Sequence, residues 1–532
     1  MSDQEEEETL LTLESHVIDF LNDQPGLEDV VPSSSSLPLR PAGSKLDVVG
    51  DMGVCNLVAL NFFSGVIGGD DPELRYVYGP AFEMAFATML AVQHLNQGDG
   101  SIVPELSGLN ETCPIRFIPE YQDTGGLEPT RALSVVQDVL VRPGATNYSS
   151  TCPLEDGATM ALPPCAFVGA YESSISQLTA PLTGFSGYPQ VSGTSAQDTL
   201  DNKDFFPKFA RTIPSQIGAS VALVDYLLRD DVFREEQPYL AILHIDDDFG
   251  NSYVSRIREV VKEYNDNQIE AIVDTSSKTF YVESIPLDPS GKDIVTQIRK
   301  LKKLDFRTVF AVLTGQYDFH NAVAMEAYRQ KVVGTGKEVW YYAEDSVVPI
   351  LSNYLWPTNS SLDVAYRGSG IIWPGTGDVD DIYLRFAEQL QQLRDTPAIM
   401  EFMLSALPMT KGINETDLLL GLQHPYFLSA TGMDPRLQFV YEATVLLGLA
   451  ACEAVTDDLY LDGDTFFKDL LATDFHGISG KIVLDQNTGT RAANSSVFAM
   501  LNIIENEDPT FEQALLPFPT DFFENQEWPD AS

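Results

Sequence analysis

Residues 56–63 are almost continuously apolar, the pattern of a strand covered on both faces. Pro80, at a first helical position, then opens an amphipathic helix to residue 96. A second strand is predicted over 115–121, its end marked by Gln122, Asp123, Thr124 and Gly125, and a helix over 129–140. Strand and helix alternating at this spacing predict an open parallel sheet with right-handed crossovers. The next strand, 167–169, runs into a turn at 170–174, a helix through Leu182 and a short strand at 189–191. A serine pair between a strand's carboxyl end and a helix's start sets hydroxyls beside unpaired backbone N–H groups, where the helix dipole favours an anion. Ser173 and Ser174 therefore form a candidate carboxylate seat. The polar loop after the following strand, Ser192, Gly193, Thr194 and Ser195, opens at the same sheet edge and can share one crevice with it.

Residues 205–214, aromatic and extended with two prolines, end a lobe. A fresh alternation follows: helix 216–228, strand 239–245, loop 246–250, helix 253–264, strand 269–274, helix 292–304, strand 308–313, helix 319–328 and strand 339–342. A strand at 370–373 and helices at 381–394 and 439–455 come next, and residues 476–485 lead into a hairpin that turns at Asn487, Thr488 and Gly489. Two βα series without sequence repeat predict two similar lobes rather than a solenoid. The expected class is α/β, with two doubly wound parallel-sheet lobes.

At 532 residues, 44% hydrophobic and 10% aromatic, the chain has room for two lobes with flanks. Its 32 Lys and Arg against 78 Asp and Glu give a net charge of -46. Such a field repels nucleic acid and anionic membrane surfaces, so neither is expected as a partner. Residues 1–30 hold ten acids and no Lys or Arg, and nothing after Arg491 is basic, so both ends read as solvated tails. Residues 31–44, with four consecutive serines and three prolines, read as a linker. No N-terminal stretch has the basic-then-apolar form of a signal peptide. The most apolar window, 439–455, carries Glu442 and Glu453 and reads as a half-buried helix rather than a membrane span.

Cysteines and sequons point toward an oxidising, extracellular or cell-surface setting, which would make the start truncated or misassigned or the export route unusual. Asn110, Asn147, Asn359, Asn414 and Asn494 head N-x-S/T sites in polar, turn-like surroundings. Cys152 and Cys165 bracket a Pro/Gly-rich insertion, and Cys55 and Cys113 sit at the starts of predicted strands. Adjacent parallel strands would join the second pair and leave Cys452 as a buried thiol.

No metal or cofactor is expected. His16, His94, His244, His320, His424 and His476 have no i, i+4 or C-x-x-C partner, and Asp246, Asp247 and Asp248 lack Ca²⁺-loop spacing. Residues 334–337 fall short of a phosphate-binding loop, and neither G-x-S-x-G nor G-x-G-x-x-G occurs. With no nucleophile, base and metal set, the chain reads as a binding protein and not an enzyme.

Three runs carry a resemblance. The first is Val168, Gly169, Ser173, Ser174, then Tyr188 to Ser192, then Phe206, Arg211, Thr212, Pro214 and Ser215. The others are Asp247, Asp248, Phe249, Gly250 and the run Phe475, Gly477, Ile478, Ser479, Gly480, Asp485. Together they resemble the receptor-family ligand-binding region, the periplasmic-binding-protein type I fold of class C G-protein-coupled receptors, natriuretic-peptide receptors and branched-chain amino-acid binding proteins. The resemblance extends over roughly residues 50–505.

It implies a clamshell closing on a small ligand, with crossings near Pro214, Gly368 and Gly477. The lobes would be 50–213 with 368–477 and 214–367 with 478–505, flanked by tails 1–49 and 506–532. Carried over residue by residue, Ser173 and Ser174 fit the carboxylate seat, and Thr194 and Ser195 the following loop. Phe249 stands at a tyrosine's place, offering a ring face to an ammonium, and Glu344 at the countercharge's place. Ala196 replaces a threonine of many glutamate receptors, and residues 80–84 lack the arginine that grips a distal carboxylate, whereas a basic residue is retained at Arg436 before the late helix, a candidate ligand contact whose alternative is a helix-end surface charge. These departures favour an amino-acid-like ligand with a neutral or apolar side chain. The expected function is a receptor ectodomain, a homodimer through lobe 1, read by a membrane module absent from this chain. A soluble solute-binding protein feeding a transporter and a scaffold that binds nothing small are the alternatives.

Overall fold

In the computed structural model the chain divides into two compact units, Met1–Ile213 with Arg385–Ala492, and Pro214–Leu384 with Ala493–Ser532. The structure describes residues 44–49, 52–63, 79–125, 129–142, 162–228, 239–270, 279–313, 317–333, 339–343, 361–366, 368–374, 381–396, 428, 433–434, 436–492, 495 and 498–502.

The first unit starts inside the expected linker and tail, with β1 (Ser44–Lys45) and β2 (Asp47–Val49), the latter folding back antiparallel on β3 (Met52–Asn61). After β3 come α1 (Gly79–Gln97), α2 (Leu109–Thr112), β4 (Ile115–Asp123), α3 (Pro129–Leu140), β5 (Ala166–Val168), α4 (Ser173–Phe185), β6 (Gln190–Ser192) and β7 (Phe209–Arg211). The strands β4, β3, β5, β6 and β7 lie side by side and parallel, so the loops after β3, β5 and β6 emerge at one edge. Reading 205–214 as merely extended missed β7, a three-residue strand too short to show a period.

The second unit runs α5 (Gln216–Leu227), β8 (Tyr239–Ile245), α6 (Asp248–Glu270), β9 (Tyr281–Leu287), α7 (Ile294–Leu304), β10 (Thr308–Val312), α8 (Tyr317–Gln330), β11 (Val339–Tyr342), α9 (Ser361–Tyr366) and β12 (Gly370–Pro374). Its parallel strands are ordered β12, β11, β10, β8, β9. The strand expected at 269–274 is not formed at its start: α6 continues to Glu270, and the strand is β9. As the sheet's edge β9 is half exposed and carries Pro286, so it lacks the apolar run of a central strand.

The boundary between units falls within α10 (Asp381–Arg394). The first unit then adds α11 (Leu437–Ala454), β13 (Tyr460–Leu461), α12 (Gly463–Ala472), β14 (Phe475–Gly477) and β15 (Gly480–Ile482), and β16 (Phe498–Asn502) closes the second sheet antiparallel on β12. The later crossings thus follow Leu384 and Ala492 rather than residues near 368 and 477. β12 is paired inside the second sheet, and β14 with β15 belongs to the first unit.

Helix α11 is long and apolar enough to cross a membrane, yet 83% of it is buried inside the protein. It is a core helix, more deeply buried than its two glutamates suggest. Glu442 lies inside it at 0% exposure because Ser479 donates both its N–H (2.6 Å) and its hydroxyl (2.7 Å) to the carboxylate. Gly477 must be glycine, since a Cβ there would sit 2.3 Å from Glu442 Oε1. The G-I-S-G run therefore seats α11's buried acid.

Disulfides join Cys55 to Cys165 and Cys113 to Cys452, each with Cα atoms 5.2 Å apart. The expected pairing is overturned by register: Cys55 faces Phe117 on β4, four residues beyond Cys113, while Cys165 N–H donates to the Asn56 carbonyl beside Cys55. Cys152 lies outside the described residues. Non-reducing peptide mapping is expected to recover these two pairs, and removal of Cys113 with Cys452 to lower stability by about 2–5 kcal/mol.

Gly193 touches α11 backbone to backbone, its missing Cβ lying 2.4 Å from Val440 N and 2.6 Å from Phe439 O. Because neither neighbour is a flexible side chain, Gly193→Ala is expected to cost about 1–3 kcal/mol in a denaturant melt.

Candidate functional site

The carboxyl edge of the first sheet gathers three loops, and hydroxyls bind them together. The Ala170 carbonyl, just past β5, accepts from Ser192 Oγ (2.8 Å), Ser195 Oγ (3.1 Å) and Thr194 Oγ1 (3.2 Å). The single Thr194 hydroxyl proton goes chiefly to the Tyr171 carbonyl (2.7 Å), its contact with Ala170 being the weaker branch, and Ser176 Oγ accepts the Ala170 N–H while contacting Ser195 Oγ at 2.8 Å. Ser192 Oγ accepts the N–H groups of Thr194 and Ser195. Gly169 permits the turn: its φ is +116°, and a Cβ would lie 2.9 Å from the Leu60 carbonyl. Thr194 and Ser195 are thus buried clamps on the β5–α4 turn.

The clamp presents the start of α4. Its N-cap, Glu172, makes no side-chain cap bond. Ser173 accepts the Gln197 N–H at 3.3 Å, tying the seat to the loop after β6, and Ser174 is exposed. Neither serine spends its hydroxyl as the cap. Burial pushes the Glu172 carboxyl up to about 7.

Beside this helix start stands Tyr171, whose ring lies 4.5 Å from Phe62 and 4.5 Å from the Arg436 guanidinium. Arg436 also donates to the Tyr171 hydroxyl. The guanidinium is buried and clasps Asp434 in two parallel bonds, Nε at 3.0 Å and Nη2 at 2.8 Å. Its charge is matched within its own turn, and it orients Tyr171 rather than standing as a helix-end surface charge. Behind it Glu83 on α1 accepts N–H bonds from Asp434 (2.9 Å) and Leu428 (3.4 Å). Burial, reinforced by Asp434, pushes Glu83 up to about 8. Tyr171, Asp434 and Glu83 escaped sequence reading, although a lone acid between Phe82 and Met84 on an apolar helix was a usable signal.

In the second unit Asp247 Oδ1 accepts the Gly250 N–H at 2.8 Å, and this sharp entry starts α6 at Asp248. Phe249 is half-buried, its ring edge-on to Tyr253 at 5.5 Å and packed on the unit's core. It stands just past the carboxyl end of β8, while Glu344 lies outside the described residues. Asn110 is exposed on α2; Asn147, Asn359, Asn414 and Asn494 lie outside the described residues. Among the described residues no cluster of His, Cys, Asp or Glu could hold a metal ion.

Comparison with known families gives a match between residues 120–502 and the model described as "Receptor family ligand binding region". The chain belongs to that family. This ligand-binding region is non-catalytic, and its two parallel-sheet units are those of the family's fold. Similar curated proteins include the extracellular calcium-sensing receptor of Sus scrofa, 27% identical over 188 residues, which are 32% of this chain and 16% of that receptor. G-protein coupled receptor family C group 6 member A of Carassius auratus is 31% identical over 197 residues, 37% of this chain and 20% of that protein. Taste receptor type 1 member 3 of Felis catus is 26% identical over 177 residues, 32% of this chain and 18% of that receptor. The ligand-binding region described here thus matches only a fifth or less of these relatives' length.

Buried acids give the first unit a pH signature. Glu83 rises to about 8 and Glu442 to about 7, chiefly by desolvation. A carboxyl whose folded pKa exceeds its unfolded value favours folding at low pH and loses that advantage as pH rises through the folded pKa. The melting temperature is therefore expected to fall between about pH 5 and 8.5, and Glu83→Gln to flatten the upper part of the decline in buffered thermal melts.

Proposed function

We propose that this chain is the extracellular ligand-binding part of a receptor, and that the seat at α4 takes the carboxylate of a small amino-acid-like ligand. The observation that carries this reading is the start of α4, not capped by a side chain, with exposed Ser174 beside Tyr171 and clamped by Ser192, Thr194 and Ser195. Backbone N–H groups at a helix start together with a hydroxyl donor suit a carboxylate. On the family analogy Phe249 and Glu344 receive the ammonium, and ligand binding selects a closed state that a membrane module or a second copy meeting through lobe 1 reads out. Two disulfides and the similarity to the extracellular calcium-sensing receptor support the extracellular setting. A soluble binding protein delivering amino acids to a transporter is the second reading.

A thermal-shift screen of amino acids on the full chain should find ligands that raise the melting temperature. Ser174→Ala is expected to weaken the best of them about tenfold, the loss of one hydrogen bond to a charged group. Glu344→Ala should abolish the shift. A screen without any shift refutes the amino-acid reading, and an unchanged response in Glu344→Ala removes that residue from the site.

A further inference from the structure

Next to the carboxylate seat the first unit holds a small recess, partly open, beneath the β5–α4 turn. Its apolar walls are Leu60, Met84, Val168 and Val440, and its polar side chains are Asn61, Thr88 and Thr194. The turn residues Ala170 and Tyr171 border it, and Tyr171 precedes Ser173 by two positions, so recess and seat adjoin. The space suffices for about one water-sized group.

Asn61 is 5% exposed, and its Nδ2 has no hydrogen-bond acceptor. A buried amide donor left unpaired is costly, so a site that retains one expects an acceptor from outside the fold. The residue is not loose: its backbone carbonyl accepts both the N–H and the hydroxyl of Thr124 at 2.7 Å, fixing the end of β3. Thr88 supplies the complementary half. Its hydroxyl proton goes to the Met84 carbonyl at 3.1 Å, so toward the recess the oxygen offers lone pairs. Thr194, its proton given to the Tyr171 carbonyl at 2.7 Å, is a second hydroxyl oxygen of the same kind. One unpaired donor and acceptor oxygens lining a water-sized space with apolar walls fit a group that both accepts and donates and occupies the volume of a single oxygen.

We propose that this recess is the side-chain subsite of the amino-acid seat and that it selects a hydroxylated small side chain, that of a β-hydroxy amino acid. The inference rests on the carboxylate reading of α4 and narrows it. Asn61 donates to the ligand hydroxyl, and that hydroxyl donates to Thr88. A bulky apolar side chain does not enter, a carboxylate meets the lone pairs of Thr88, and an ammonium meets the Asn61 N–H. A ligand with a methyl in place of the hydroxyl leaves Asn61 unpaired, the situation in which a polar site discriminates most strongly.

The test compares matched pairs on the full chain by calorimetry: L-serine against L-alanine, and L-threonine against L-2-aminobutyrate. The wild type is expected to bind each hydroxylated member about tenfold or more tightly than its partner. Asn61→Leu should bring serine down to the level of alanine, and it should raise the melting temperature of the unliganded protein by removing the unpaired donor. Thr88→Val, close in shape and lacking the acceptor, should narrow the serine preference even if Asn61→Leu fails to fold. If serine and alanine bind the wild type equally, the recess holds only water and the subsite is overturned while the seat stands. If none of the four amino acids binds and others do, the selectivity is wrong; if no amino acid binds, the seat itself is refuted, and the subsite with it.

Discussion

One carbonyl oxygen organises the functional edge of the first unit. The Ala170 carbonyl takes the hydroxyls of Ser192, the last residue of the neighbouring strand, and of Ser195 on the loop that follows, while Thr194 bridges it to the Tyr171 carbonyl. A buried carbonyl has two lone pairs to satisfy, and a loop that satisfies them with side chains fixes its own backbone to the turn it clasps. The consequence reaches the next residues in the chain. Tyr171 is held for Arg436 and Phe62, and the start of α4 is presented without a side-chain cap. Preorganisation of this kind leaves little for a ligand to order when it arrives.

The clamp depends in turn on a helix buried over most of its length. α11 lies against β6 by the close approach of Gly193 to its first turn, and the Phe439 carbonyl accepts the Thr212 hydroxyl at 2.7 Å. The Cys113–Cys452 disulfide holds its far end, and Glu442 with Ser479 its middle. A single apolar helix placed by a glycine contact, a buried acid and a covalent bond sets Arg436 at its own N-cap, next to Tyr171.

Much of this was readable in the sequence. Alternating apolar strands and helices named both sheets, and elementary helix chemistry put Ser173 and Ser174 at a helix start after β5, where they form the first turn of α4. Elements that failed to show were those whose burial comes from distant parts of the chain. β7 is three residues long, β9 is a half-exposed edge, and β1 and β2 are stabilised by pairing with β13 and β3. The disulfides were misassigned because pairing depends on register, and register shifts Cys113 four residues away from Cys55's partner on β4. Arg436 was read as basic before a helix, but its partners Asp434 and Tyr171 are visible only once α11 is folded against the β5–α4 turn. Thr194 and Ser195, expected to face a ligand, turn their hydroxyls to the carbonyls of the β5–α4 turn.

The measurement that bears most directly on this account is a crystal structure of the full chain with a bound amino acid. The account predicts density for the ligand carboxylate at about hydrogen-bond distance from the first-turn N–H groups of α4 and the Ser174 hydroxyl, with Tyr171 still held by Arg436. Density at another place on the first unit, with the start of α4 facing only solvent, would contradict it.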